Sequence, residues 1–107
     1  MRIVRTSLFE RSLKKLGARA TDLERLEAEI VAHPTVGDVI QGLSGARKAR
    51  FSMAGRGKSG GGRAIYILAM QAGAAYLLLA YSKKEQEDLS VAQRKVLAAI
   101  VKELMDG

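Results

Sequence analysis

The chain has 107 residues, room for one domain with a single core, and 48% of them are hydrophobic, which excludes wholesale disorder. The absence of cysteine excludes disulfides, a thiol nucleophile and thiolate metal sites. The formal net charge is +7, and the excess is concentrated: residues 44–66 carry six basic side chains and no acid, while residues 1–43 balance to +1 and residues 67–107 to zero. A field of this kind calls for a polyanionic partner.

In chain order, residues 2–5 alternate polar and apolar and predict a short strand. From Thr6 onward Leu8, Phe9, Leu13 and Leu16 recur at helical spacing, with Gly17 as the stop. Thr21 and Asp22 offer a cap for a second helix, with Glu24 placed to complete a capping box and Leu23, Leu26 and Ile30 on the apolar face. His33-Pro34 ends it, because a residue before proline resists helical geometry. The two helices predict an antiparallel hairpin, and residues 35–45, with three glycines, predict a loop.

Residues 47–53 alternate as a strand that aims Lys48, Arg50 and Ser52 to one face and Ala49, Phe51 and Met53, behind Arg47, to the other. Gly55 to Gly62 reads as a flexible connection. Residues 63–70 and 74–81 are apolar strands with a turn at Gln71-Ala72-Gly73. Ser90 caps a last helix whose stripe is Val91, Val96, Leu97, Ile100, Val101 and Leu104. The expected class is α+β, a single domain over residues 1–107: a small, mainly antiparallel sheet packed with an N-terminal helical hairpin and a C-terminal helix. The N-terminal residues are charged throughout and do not form a signal peptide, and the longest apolar run, Ala74 to Tyr81, is too short to cross a bilayer. A cytoplasmic protein without a membrane partner is therefore expected.

The run Gly55 to Gly62 (GRGKSGGG) tempts a phosphate-loop reading, but the position five residues before the Gly57-Lys58-Ser59 triplet is Ser52, and a strand follows instead of a helix. Nucleotide binding is rejected. The sole histidine, His33, sits at a helix end and reads as polar surface, and no His, Asp or Glu pair has metal-ligand spacing, so no metal or cofactor is expected.

What remains is chemistry performed by cations. RNA carries its own nucleophile, the 2′-hydroxyl beside the scissile phosphate, and a protein accelerates its attack by orienting it and stabilising the charged phosphorane. Arginine stays protonated and grips two phosphate oxygens, lysine crowded by cations is a candidate proton acceptor, and tyrosine stacks on a base or donates a proton. Lys48, Arg50, Arg63, Tyr81 and Lys84 offer that set on neighbouring strands and the following turn. A noncatalytic RNA- or DNA-binding face would use the same residue types.

The order of elements, together with Gly45-Ala46-Arg47-Lys48-Ala49-Arg50-Phe51, the run Gly55-Arg56-Gly57-Lys58-Ser59-Gly60-Gly61 ahead of Arg63-Ala64-Ile65-Tyr66, and Tyr81-Ser82-Lys83-Lys84-Glu85-Gln86-Glu87-Asp88-Leu89, resembles the RelE/HigB bacterial toxins, the HigB-like branch in particular. The resemblance covers nearly the whole chain. It implies a toxin of a type II toxin–antitoxin system: a ribosome-dependent, metal-independent messenger-RNA endonuclease working by 2′-hydroxyl attack. By position it makes Lys48, Arg50, Arg63 and Lys84 the catalytic residues, the lysine of the Lys48/Arg50 strand pair being the candidate base, with Arg63 on the phosphate and Lys84 at the leaving group. Arg47, Arg56, Lys58, Tyr66, Tyr81 and Lys83 become RNA contacts. The family's late tyrosine has no match; Ser90 falls near its place. The implied partners are the ribosome, messenger RNA and a cognate antitoxin, commonly a helix-turn-helix protein of the HigA kind through which alone operator DNA would be contacted. A gyrase-blocking ParE-like toxin on the same scaffold, and a plain nucleic-acid-binding module, are the alternatives.

Overall fold

The computed structural model describes residues 1–53 and 61–106. Arg2–Arg5 forms β1, with Ile3 and Val4 half-buried between two exposed arginines, and Thr6 then turns the chain into α1 (Ser7–Leu16). The Thr6 hydroxyl accepts from the Phe9 N–H (3.2 Å), and Gly17 closes the helix in the left-handed region (φ +74°), where a side chain would be strained. The second helix, α2 (Ala20–Ala32), starts earlier than the Thr21 cap predicts. Its N-terminus is closed by the Asp22 carboxylate, which accepts from the Arg19 N–H (2.9 Å), so the acid of the capping box is Asp22 and not Glu24.

The predicted loop after α2 holds a two-residue strand, β2 (Asp38–Val39), followed by β3 (Arg47–Phe51), β4 (Gly62–Ala69) and β5 (Ala74–Ser82). Strand β3 stops before Ser52 and Met53. A single turn of 3-10 helix, Met70–Ala72, and Gly73 join β4 to β5, where the turn was expected. The last helix, α3 (Val91–Asp106), is capped by reciprocal bonds between Ser90 and Gln93. Among the described residues the strands form one mixed sheet in the order β1-β5-β4-β3-β2, with β1 parallel to β5 and all other pairs antiparallel.

Both faces of the sheet are covered. On one side Phe9, Leu23, Leu26 and Ile30 of the helical hairpin pack on Ala49, Phe51, Ala64, Tyr66, Ala75, Leu77 and Ala80. On the other, Leu97 and Val101 of α3 pack on Ile65, Ile67, Leu78 and Leu79. The stripe of α3 is narrower than expected: Val91 and Val96 are exposed, because helical rotation carries them away from the line through Leu97, Val101 and Leu104. Alternation along β5 breaks once. Ile65 pairs with Leu79 but Tyr66 with Leu77, so Leu78 is an extra residue and both Leu78 and Leu79 face α3.

Strand β1 covers only the first part of β5, and α1 takes over where it ends. The Leu77 carbonyl accepts from the Thr6 N–H (3.1 Å) and hydroxyl (2.8 Å), and the Ala80 N–H donates to the Ser12 hydroxyl (2.9 Å). The helix thereby satisfies strand-edge groups that a further strand would otherwise pair.

Tyr66, fully buried, locks the segment after α2 onto the sheet. Its hydroxyl donates to the Pro34 carbonyl (2.7 Å) and accepts from the Gly37 N–H (3.0 Å). A side chain at Gly37 would meet the Lys48 backbone and the Tyr66 ring at 2.9 Å, so the close approach requires glycine. Tyr66→Phe is expected to lose about 1–3 kcal/mol of stability, since two partners lose their hydrogen bond; urea unfolding at constant m-value measures it.

Candidate functional site

The register of the three central strands builds the site. Arg50 lies opposite Arg63, and Arg63 opposite Tyr81, so these residues form one row across β3, β4 and β5. Lys48 lies two residues along from Arg50 on the same face, as the period-two alternation predicts. Lys48, Arg50 and Arg63 line a concavity of about 310 Å³ together with Lys83 and the carboxylates of Asp38, Glu87 and Asp88. A neighbouring concavity of about 550 Å³ shares Asp38, Lys48 and Asp88 and adds Arg94 of α3. Arg94 is fixed there by donating to the Gln41 carbonyl (2.6 Å).

Arg63 is the buried cation of the group, 5% exposed, and its Nη1 donates to the Gly62 carbonyl (3.0 Å). A guanidinium withdrawn from water acts on an incoming anion with less screening than Arg50, which stays exposed. The Lys48 ammonium stands 3.7 Å from an Asp88 carboxylate oxygen, at the boundary of the two concavities. Asp88 accepts from the Leu89 N–H, and Gln86 ties the same turn to α3 by donating to the Asp88 carbonyl and to Gln93. The turn thus holds its acids over the cation cluster.

Tyr81 is 4% exposed and its hydroxyl has no hydrogen-bond partner. Burial pushes the phenol above the ordinary tyrosine range, the Asp88 charge pushes it further, and Arg63 offsets part of the rise.

Several expected contacts are placed elsewhere. Tyr66 is buried on the opposite face of the sheet with its hydroxyl used twice, so the expectation that it stacks on RNA is corrected. Arg47 also projects to that opposite face; its guanidinium donates to the carbonyls of Gly37 (2.7 Å) and Thr35 (3.4 Å) and clamps the segment before β2. Tyr81 cannot offer its ring as an open stacking surface, for the same reason of burial. Lys83 lines the cleft, whereas Lys84 is exposed on the turn and does not. Arg56 and Lys58 lie outside the described residues.

The sequence reading missed Asp38, Glu87, Asp88 and Arg94. Asp38 lies in a two-residue strand that leaves no periodicity, and Glu87 and Asp88 stand just ahead of the last helix, where acids are ordinary at the positive helix end. Among the described residues no cluster of three or more His, Cys, Asp or Glu is arranged to hold a metal ion, and no helix is long and apolar enough to cross a membrane.

The family model described as the RelE toxin of the RelE/RelB toxin–antitoxin system matches residues 1–106. The chain belongs to the RelE toxin family. Its fold is also that of a solved structure of the E. coli toxin RelE, an arginine-to-alanine double mutant in the free state: TM-score 0.60, 16% identity, covering 92% of this chain and 94% of that one. As a RelE toxin, the protein is the toxin of a toxin–antitoxin system and has a cognate antitoxin as partner.

In this RelE toxin the acids over the cleft compete with any anion that enters it. Asp88→Asn is expected to tighten binding of a single-stranded RNA oligonucleotide by about two- to fivefold at low salt, the modest range of a solvated ion pair. Fluorescence anisotropy checks this, and the gain should fade as salt is raised.

Proposed function

We propose that this RelE toxin is a metal-independent endoribonuclease that cuts messenger RNA on the ribosome, in the cytoplasm, and so arrests translation. The row Arg50–Arg63–Tyr81, with Lys48 beside it, carries the reading: it sets three cations side by side at one concave place of the sheet. Family membership supports the toxin part of the reading.

In the proposed reaction the scissile phosphate enters between Arg50 and Arg63, displacing the Asp88 carboxylate from Lys48. The 2′-hydroxyl of the preceding nucleotide attacks the phosphorus in line, the neutral amine form of Lys48 takes its proton, and the arginines stabilise the doubly charged phosphorane. The bond to the 5′-oxygen breaks as that oxygen takes a proton from the Lys83 ammonium, leaving a cyclic phosphate on one fragment and a 5′-hydroxyl on the other. Lys83 is the amine at the cleft on the leaving side. Lys84, which the family resemblance puts in that role, projects from the same turn and reaches the leaving group only if the turn shifts.

The whole chain acts as one domain in this reading, HigB-like within the family. Its antitoxin is a helix-turn-helix protein that carries any contact with operator DNA.

Lys48→Ala and Arg63→Ala are each expected to lower cleavage roughly tenfold or more, the loss typical of one transition-state contact. RNA affinity should fall with salt with a logarithmic slope on the order of 3, from four cations at a single strand. The deciding experiment is induced expression in a bacterium with RNA ends mapped against reading frames. Cuts within translated codons that vanish in Arg63→Ala support the nuclease. Growth arrest with intact messages would point to the gyrase-blocking alternative or another protein target, and no arrest to a binding module or an inactive toxin.

A further inference from the structure

Among the described residues Tyr81 presents the one buried side-chain polar atom without a hydrogen-bond partner. Buried polar groups are almost always paired, because leaving one dry and unsatisfied destabilises the fold. Phenylalanine would fill the same space without that penalty, so packing alone does not account for the hydroxyl. Its position does point somewhere. Tyr81 faces Arg63 across the strand pair, in the row that continues to Arg50, on the face that forms the cleft. Arg63 and Asp88 are both close enough to act on it electrostatically, and their net effect together with burial is to keep the phenol protonated, a donor.

We infer that the Tyr81 hydroxyl is a further catalytic group, which donates a hydrogen bond to an oxygen of the phosphate gripped by Arg50 and Arg63. The inference rests on the ribonuclease reading of the cleft. The phenol keeps its proton throughout and no bond breaks at Tyr81; the contact stabilises charge as it accumulates on the phosphorane. Asp88 stands 3.7 Å from the Lys48 ammonium and its charge acts on the Tyr81 phenol, so a phosphate that takes the place of its carboxylate enters the same electrostatic field. The active part of Tyr81 is its hydroxyl, and its ring belongs to the core beside Ile65 and Leu79.

The test is Tyr81→Phe in the full chain, compared with the parent and with Arg63→Ala. Three quantities are read: the urea unfolding midpoint, affinity for single-stranded RNA, and single-turnover cleavage of messenger RNA on programmed ribosomes. The expected result is an unfolding midpoint equal to or above the parent's, unchanged affinity, and cleavage slowed roughly tenfold or more. A structural role for the hydroxyl would instead lower the midpoint, and that result overturns the inference. Cleavage within about twofold of the parent, with Arg63→Ala defective, overturns it too while leaving the nuclease reading intact. A parent chain that cuts no RNA on the ribosome removes both.

Discussion

A single extra residue in β5 determines which chemistry the sheet can present. Up to Leu77 the strand alternates in step with β4; Leu78 is then inserted, and every later side chain changes face. Without it Tyr81 would point into the core beneath the helical hairpin, and Ala80 and Ser82 would lie beside Arg63. With it, Leu79 joins the core under α3 and Tyr81 lines up with Arg63 and Arg50. The bulge costs the sheet one interrupted stretch of pairing, and the apolar contacts of Leu78 and Leu79 with α3 offset that loss. Packing energy on one side of the sheet thus fixes the geometry of the polar residues at its end.

The cleft is a mixed-charge place, and that has consequences for selectivity. Four cations line it, but Asp38, Glu87 and Asp88 line it too. A purely basic groove binds any phosphate backbone, with an affinity set by salt. Carboxylates at the rim weaken that general attraction, and they penalise ligands that approach without displacing them. Binding of an anion then depends on its approaching in the orientation that reaches Arg63, the most deeply placed cation.

Much of this was legible in the sequence, and the parts that were not share a cause. The helix from Thr6 to Gly17, the basic strand, the two apolar strands and the Ser90 cap each leave a local pattern several residues long. Lys48 and Arg50 share the cleft face because a period of two demands it. Strand β2 is too short for any period, and Asp38 went unnoticed with it. The Leu78 bulge is silent because Tyr76 to Leu79 is apolar at every position, so either face accepts either residue. Tyr66 and Arg47 look like nucleic-acid contacts by residue type; only the fold shows that their polar ends hold the Pro34–Gly37 segment. The cap of α2 was misplaced because Thr21, Asp22 and Glu24 all suit a helix start, and the choice falls to where Gly17 releases the chain.

The way α1 takes over from β1 bears on how the protein behaves when crowded. A sheet with a bare edge invites another copy to extend it, and such pairing leads to aggregation. Here the later part of β5 gives its Leu77 carbonyl and Ala80 N–H to Thr6 and Ser12, so α1 occupies the edge that a stranger would need. The outermost strand on that side, β1, is four residues long and begins and ends with an arginine. Two copies laid edge to edge would bring those arginines together, and Arg5 is already committed to Glu27 at 2.7 Å. A chain whose central strands are nearly all apolar can therefore accumulate in its folded form without seeding a fibril from this edge.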